Sequence, residues 1–242
     1  FFFFMLLLLL CFIFGFMNEN NILGVILAGG KSRRFGTDKS NTKLGNKTLL
    51  EHTISKIEKD FPEILIVSNQ RKFRITSKNI FVIKDYIEGY LGPLIGVLSA
   101  MKWIKMNKRK YDWISTFPCD TPFFDISIIE KFNEASKLKD GLLYFAKSAK
   151  QRHNIFGLWS LKLIETLEQD ILKNNHRKVE KWANKIGVKT INIPYDDYED
   201  YEDIIDSLDY SSLYVIYCNG SECSLSLDLG EYFFNEKSYF SM

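Results

Sequence analysis

Cysteine is scarce in this chain and wrongly spaced for its structural uses. The four thiols, Cys11, Cys119, Cys218 and Cys223, fit neither a zinc site nor a dense disulfide framework. Free thiols in a reducing, cytoplasmic setting are the default. Neither G-x-G-x-x-G nor G-x-x-x-x-G-K-[ST] occurs, which excludes the dinucleotide fingerprint and the Walker loop. No internal repeat and no Gly/Ser/Pro-rich linker divides the 242 residues, a length that suits one substantial core. Net charge is only +2, too small to argue for nucleic acid as a partner.

That small total hides a lopsided distribution. From Asp196 to Met242, twelve acids face one lysine for a net −11, so the remainder carries +13. A basic body suits an anionic ligand. At the other end, residues 1–16 (FFFFMLLLLLCFIFGF) carry no charge but are slightly short for a spanning helix. They also lack the basic region and cleavage site of a signal peptide. With Met17 directly following, this run reads as upstream translation or a start-site artefact rather than a membrane anchor. The expected organisation is an apolar leader over 1–17, one folded domain over 18–195 and an acidic tail over 196–242.

The informative stretch is Ile22 to Ser40, ILGVILAGGKSRRFGTDKS. Its apolar start predicts a buried strand, closing on Ala28-Gly29-Gly30, residues small enough for backbone N–H groups to approach a ligand. Lys31, Arg33, Arg34 and Lys39 follow, four cations within nine residues. A strand, a glycine turn and a basic loop before a helix make a place to hold phosphates. Taken alone, the same stretch also fits a solvated loop.

Further strands are predicted at 64–67, 80–83, 113–117, 141–146, 155–159 and 189–193. Helices are predicted at 48–59, from Gly92-Pro93 through Met101, and at 126–138, 161–172 and 178–186. This alternation argues for an α/β three-layer sandwich around a mainly parallel sheet. Ligands of such sheets sit beyond the carboxyl ends of the strands. Gly29, Ser68 and Asn69, Asp85 and Asp120 each follow a strand, so they are expected along one edge, facing one crevice.

Asp120 lies in Phe-Pro-Cys-Asp-Thr-Pro, where two prolines restrict the backbone on either side. It can supply the single carboxylate that Mg²⁺ takes beside substrate phosphates; it can equally cap the helix expected at Ile126. Asp85 can take a second metal position, accept hydrogen bonds from a base or ribose, or stand in solvent. Asn69 has amide capacity suited to a base edge, or it is simple turn chemistry. Lys39 and the two arginines can neutralise a triphosphate and departing pyrophosphate. His153, ahead of a strand, reads as structural, and His52 and His176 are given no role.

Three segments in order, LAGGKSRRFGTDK (27–39), GPLIGVLSAM (92–101) and FPCDTPFF (117–124), resemble the molybdenum cofactor guanylyltransferase family, whose fold is a Rossmann-like nucleotidyltransferase. The resemblance spans roughly Ile22 to Ser160. It implies transfer of GMP from GTP to molybdenum–molybdopterin with Mg²⁺, and molybdenum-insertion or molybdoenzyme-maturation proteins as partners. It also implies that Leu27, Ala28 and Gly29 hold the nucleotide through their backbones, that Lys39 binds phosphate and Asp85 nucleotide, and that Asp120 binds both Mg²⁺ and nucleotide. Lys39, Asp120 and Arg33 are the catalytic candidates. Asn69, or Ser68 in its place, is a further nucleotide contact. Arg152-His153 resembles a segment on the acceptor side, with Asn154 where a proline is usual. The ending departs from the family pattern. A cytidylyltransferase on the same or a related acceptor, and a non-catalytic nucleotide-binding protein, are the alternatives.

Overall fold

The computed structural model describes residues 21–29, 43–69, 73, 75, 77–89, 92–122, 124–138, 140–148 and 151–193. The leader expected over 1–17, the tail expected over 196–242, and Arg33 and Lys39 lie outside the described residues.

The first apolar run forms β1 (Ile22–Leu27), followed by a two-residue hairpin of β2 (Lys43–Leu44) and β3 (Lys47–Thr48). Helix α1 (Leu49–Ile57) begins on Thr48, whose side chain and that of Glu51 cap each other's backbone N–H. Strands β4 (Ile64–Val67) and β5 (Ile80–Ile83) precede α2 (Pro93–Met106). Then come β6 (Trp113–Pro118), α3 (Ser127–Leu138), β7 (Leu143–Ser148) and β8 (Gln151–Ser160). A 3₁₀ turn over Leu161–Leu163 leads into α4 (Ile164–Leu172), then α5 (Val179–Ile186) and β9 (Lys189–Asn192).

The main sheet runs β5-β4-β1-β6-β8-β7-β9. Its neighbours pair in parallel except at β6–β8 and β8–β7, so β8 alone runs against the rest. The expected strand at 155–159 is only the buried half of β8. Residues 151–155 are polar or partly exposed and carry no apolar run, which is why the sequence pattern misses them. The helix expected over 161–172 divides for a local reason: the Ser160 side chain accepts from the Lys162 N–H and starts a tighter turn.

Period-two alternation sends Leu23 and Val25 of β1 toward α2, α4 and α5, and Ile22 and Ile26 toward α1 and α3. Gly24 lies on the second face, where a Cβ would stand 2.9 Å from the Phe61 ring, so glycine lets that ring close on the sheet. Helix α2 is buried along Leu94–Met101 between the sheet and α4, with Lys102 reaching Glu168 of α4 at 2.6 Å. Trp159 of β8 stacks on Trp182 of α5 at 6.0 Å.

One charge lies inside this outer layer. Asp170 of α4 is 2 % exposed and accepts from Lys185 Nζ at 2.6 and 2.8 Å, Asn174 Nδ2 at 2.6 Å and Trp182 Nε1 at 3.0 Å. Burial pushes its carboxyl upward, but the three donors outweigh burial and hold it below the usual carboxylate range. Asp170→Ala should cost about 3 kcal/mol at neutral pH, toward the low end for a broken buried pair because Lys185 keeps access to water. Because the folded value is depressed, the wild-type contribution is full above the ordinary 3.8 and is lost as pH falls below it. Urea unfolding of both proteins from pH 7 to pH 3 should show their stabilities converging at the acid end.

Candidate functional site

Because β1, β4, β5, β6 and β7 share one direction, their carboxyl ends meet along one edge, together with the start of β8. Hydrogen bonds continue the ladder past the strand ends. Ala28 N–H donates to Val67 C=O at 3.0 Å, Ser68 N–H to Ile83 C=O at 2.8 Å, and Cys119 N–H to Leu27 C=O at 3.4 Å. The residues after β1, β4 and β6 are thereby fixed side by side.

Leu27, Ala28 and Gly29 differ in what they leave open. Ala28 is buried, its N–H is spent on Val67, and its C=O accepts from the Ser68 hydroxyl at 3.3 Å. Gly29 is exposed, and a Cβ there would meet nothing nearer than the Val67 carbonyl at 3.8 Å. Gly29 therefore offers its backbone to the crevice, while Leu27 and Ala28 set its position. Ser68 is 1 % exposed and holds Ala28, so the side chain that reaches the rim at the end of β4 is Asn69.

Asn69 and Asp85 form a two-way clamp. Asn69 Nδ2 donates to Asp85 Oδ2 at 2.6 Å, and the Asp85 N–H donates to Asn69 Oδ1 at 3.1 Å. Asp85 is thus no free loop carboxylate. Burial raises it above the ordinary carboxylate value, against the opposing pull of the Asn69 bond. Helix α2 supplies the wall. A Cβ on Gly96 would come within 3.0 Å of Leu27 Cδ2, so glycine here admits the Leu27 side chain, and Asp85 Oδ1 lies 4.0 Å from the same point, in ordinary contact. Ser99, which sequence reasoning did not single out, accepts from the Tyr86 N–H at 2.7 Å and donates to the Ile95 C=O at 2.6 Å, pinning the turn after Asp85. Its signal was present: a hydroxyl on an otherwise apolar helix.

Asp120 stands at the end of β6, partly exposed, one residue beyond Cys119 and hence beside the end of β1. The capping role open to it in the sequence belongs to Asp125, whose carboxylate accepts from the Ser127 N–H at 2.8 Å and the Ser127 hydroxyl at 2.6 Å. Among the described residues no group of three His, Cys, Asp or Glu side chains could enclose a metal ion. A single carboxylate on an open rim instead fits a hard cation that takes most of its ligands from phosphates and water.

Farther along, His153 Nε2 lies 2.6 Å from the Ser148 hydroxyl, and burial lowers its imidazole below the ordinary value. Arg152 points the other way, bonded to Asn154 and Asn184 and lying over Phe145. His52 reaches the Leu44 carbonyl at 2.8 Å, and His176 lies in the turn between α4 and α5.

A carboxyl raised by burial destabilises the fold where it is ionised, and stability recovers as pH falls toward its raised value. Asp85→Asn, which keeps an oxygen for Asn69 to bond, should raise the melting temperature at pH 8 and leave it nearly unchanged at pH 4. Differential scanning calorimetry at the two pH values reads this directly.

No helix among the described residues is long and apolar enough to cross a membrane. The chain matches the MobA-like NTP transferase domain over residues 24–186. It is 34% identical over 168 residues to a molybdenum cofactor guanylyltransferase of Haemophilus influenzae, covering 69% of this chain and 85% of that one. Its fold is similar to the molybdopterin-guanine dinucleotide biosynthesis protein A of Archaeoglobus fulgidus, with a TM-score of 0.59 at 16% identity over 88% of this chain and 99% of that one. It is also similar to Rv0371c of Mycobacterium tuberculosis, solved in complex with manganese, with a TM-score of 0.53 at 14% identity over 76% and 97% of the two chains. With a matching domain over most of its described length and a sheet edge that gathers Gly29, an amide–carboxylate clamp and Asp120, the chain belongs to the MobA-like NTP transferase family and is a nucleotidyltransferase.

Proposed function

We propose that the protein transfers GMP from GTP to molybdenum–molybdopterin in the cytoplasm, giving molybdopterin guanine dinucleotide and pyrophosphate, with residues 18–195 as the catalytic unit. The observation that carries this reading is the order of groups along the rim: the Asn69–Asp85 clamp at β4 and β5, Gly29 at β1, then Asp120 at β6. A nucleotide laid along that edge meets hydrogen-bonding groups at its base or ribose end, backbone at its phosphates, and a carboxylate beside the reacting phosphorus.

Asn69, held by Asp85, presents a fixed amide to the nucleoside. Gly29 lets the phosphates approach the backbone without steric cost. Lys39 and Arg33, which follow β1 in the sequence, supply positive charge to the triphosphate and to the departing pyrophosphate. Asp120 is the residue that would hold Mg²⁺, which, when bound, neutralises charge on the phosphates. A phosphate oxygen as attacking group needs no strong base, so positioning and charge neutralisation suffice. The Asn69–Asp85 clamp and Asp120 accordingly supply an amide and carboxylates, the groups such a reaction needs.

Pyrophosphate release with the pterin acceptor should occur with GTP and Mg²⁺ and fall about 100-fold or more in Asp120→Ala. Thermal stabilisation by GTP but not by CTP separates this reading from cytidylyl transfer. Equal release by wild type and variant would overturn the role of Asp120. A preference for CTP would overturn the choice of nucleotide.

A further inference from the structure

We infer that Ser99 of α2 is a positioning residue for the nucleotide: through the backbone of Tyr86 its hydroxyl holds Asp85 at the rim, an inference that rests on the transfer reaction above. Asp85 lies between two anchored peptide groups. Its own N–H donates to Asn69 Oδ1 at 3.1 Å, and the next N–H, that of Tyr86, donates to Ser99 Oγ at 2.7 Å. Peptide groups are planar, so holding the two that flank a residue holds its φ and ψ. Only the side-chain torsions of Asp85 are then left, and the bond from Asn69 Nδ2 to Oδ2 at 2.6 Å sets those. Without Ser99, one of the two flanking peptides is released. The connection from β5 to α2 lends little stiffness in its place, because it contains Gly89 and Gly92, both at positive φ.

One face of α2 is shaped for this task. Gly96, Ser99 and Lys102 follow one another at three-residue spacing and stand in a row. Asp85 Oδ1 lies 4.0 Å from where a Gly96 Cβ would stand, and Ser99 takes the Tyr86 N–H. Lys102 Nζ lies 5.4 Å from the centre of the Tyr86 ring while bonded to Glu168 at 2.6 Å. The middle member is the one a helix would not select. Ser99 is 2 % exposed in a helix whose other buried residues are apolar, and serine is a weaker helix former than alanine. Its hydroxyl donates to the Ile95 C=O at 2.6 Å, which spends the proton inside the helix. Toward Tyr86 the same oxygen acts only as an acceptor, so the bond has one direction. The Tyr86 side chain is 51 % exposed, so the turn is held by its backbone more than by burial of that ring.

Amide exchange followed by NMR on the full-length protein without nucleotide reads the anchor itself. The Tyr86 amide should exchange about 10-fold faster in Ser99→Ala than in wild type, with the amides of β4 and β1 unchanged. Equal exchange of the Tyr86 amide in both proteins would overturn the proposal. Titration with GTP and Mg²⁺ then reads the consequence: Ser99→Ala should bind GTP about 10-fold more weakly. In turnover its GTP KM should rise by a similar factor while kcat and the acceptor KM stay near wild type, the pattern of lost nucleotide binding and not of a smaller folded fraction. Ser99→Thr keeps the hydroxyl and should recover most of the loss, whereas Ser99→Cys, whose sulfur is a poor acceptor, should resemble the Ala variant. Unchanged GTP affinity in Ser99→Ala, an equal rise in the acceptor KM, or a Thr variant that protects the Tyr86 amide yet binds GTP as weakly as the Ala variant would each overturn the inference. A wild type that takes CTP in place of GTP would count against the proposed reaction alone, and the same comparison of variants is then read with CTP.

Discussion

The site depends on hydrogen bonds that carry the parallel ladder one residue beyond its strands. A parallel sheet leaves each carboxyl end with unpaired backbone groups, and loops attached there would ordinarily drift. Here the Ala28 N–H bonds to Val67, the Ser68 N–H to Ile83 and the Cys119 N–H to Leu27. Ala28, Ser68 and Cys119, separated by dozens of residues in sequence, are thereby held in register with the neighbouring strands. Preorganisation of this kind is what a reaction limited by positioning and charge requires.

Around that locked edge, the molecule accepts local costs. Asp85 is buried enough that its carboxyl is raised, and a single amide partner opposes the penalty. Helix α2 gives up a side chain at residue 96 so that Leu27 can fit against it. Away from the edge, by contrast, Asp170 is fully satisfied by three donors and lies below the ordinary carboxylate range. The contrast follows from the supply of donors: three side chains reach Asp170, whereas one, Asn69, opposes burial at Asp85.

The reversed strand β8 gives the edge its second half. Running against its neighbours, it brings its first residues, not its last, to the rim beside the end of β7. The two sides of Asp120 thus have different characters, an amide–carboxylate clamp on one and a hydroxyl–imidazole pair on the other.

The sequence by itself determined the strands and helices whose apolar residues repeat at fixed spacing: β1, β4, β5, β6, β7, β9 and the five helices, together with the Pro-Cys-Asp-Thr-Pro box. Those features depend on near neighbours, and the resemblance to nucleotidyltransferases rests on them. Tertiary structure decided which polar groups meet. Asn69 and Asp85 are joined only because β4 and β5 pair in register, and Asp125 takes the capping role that was open to Asp120. Ser99 acquires a role only once α2 lies beside the turn after β5, and the polar half of β8 becomes a strand only because β7 offers it a partner. The physical reason is the same throughout: an apolar period is written along the chain, whereas a hydrogen bond between distant residues is settled by the register of the strands that carry them.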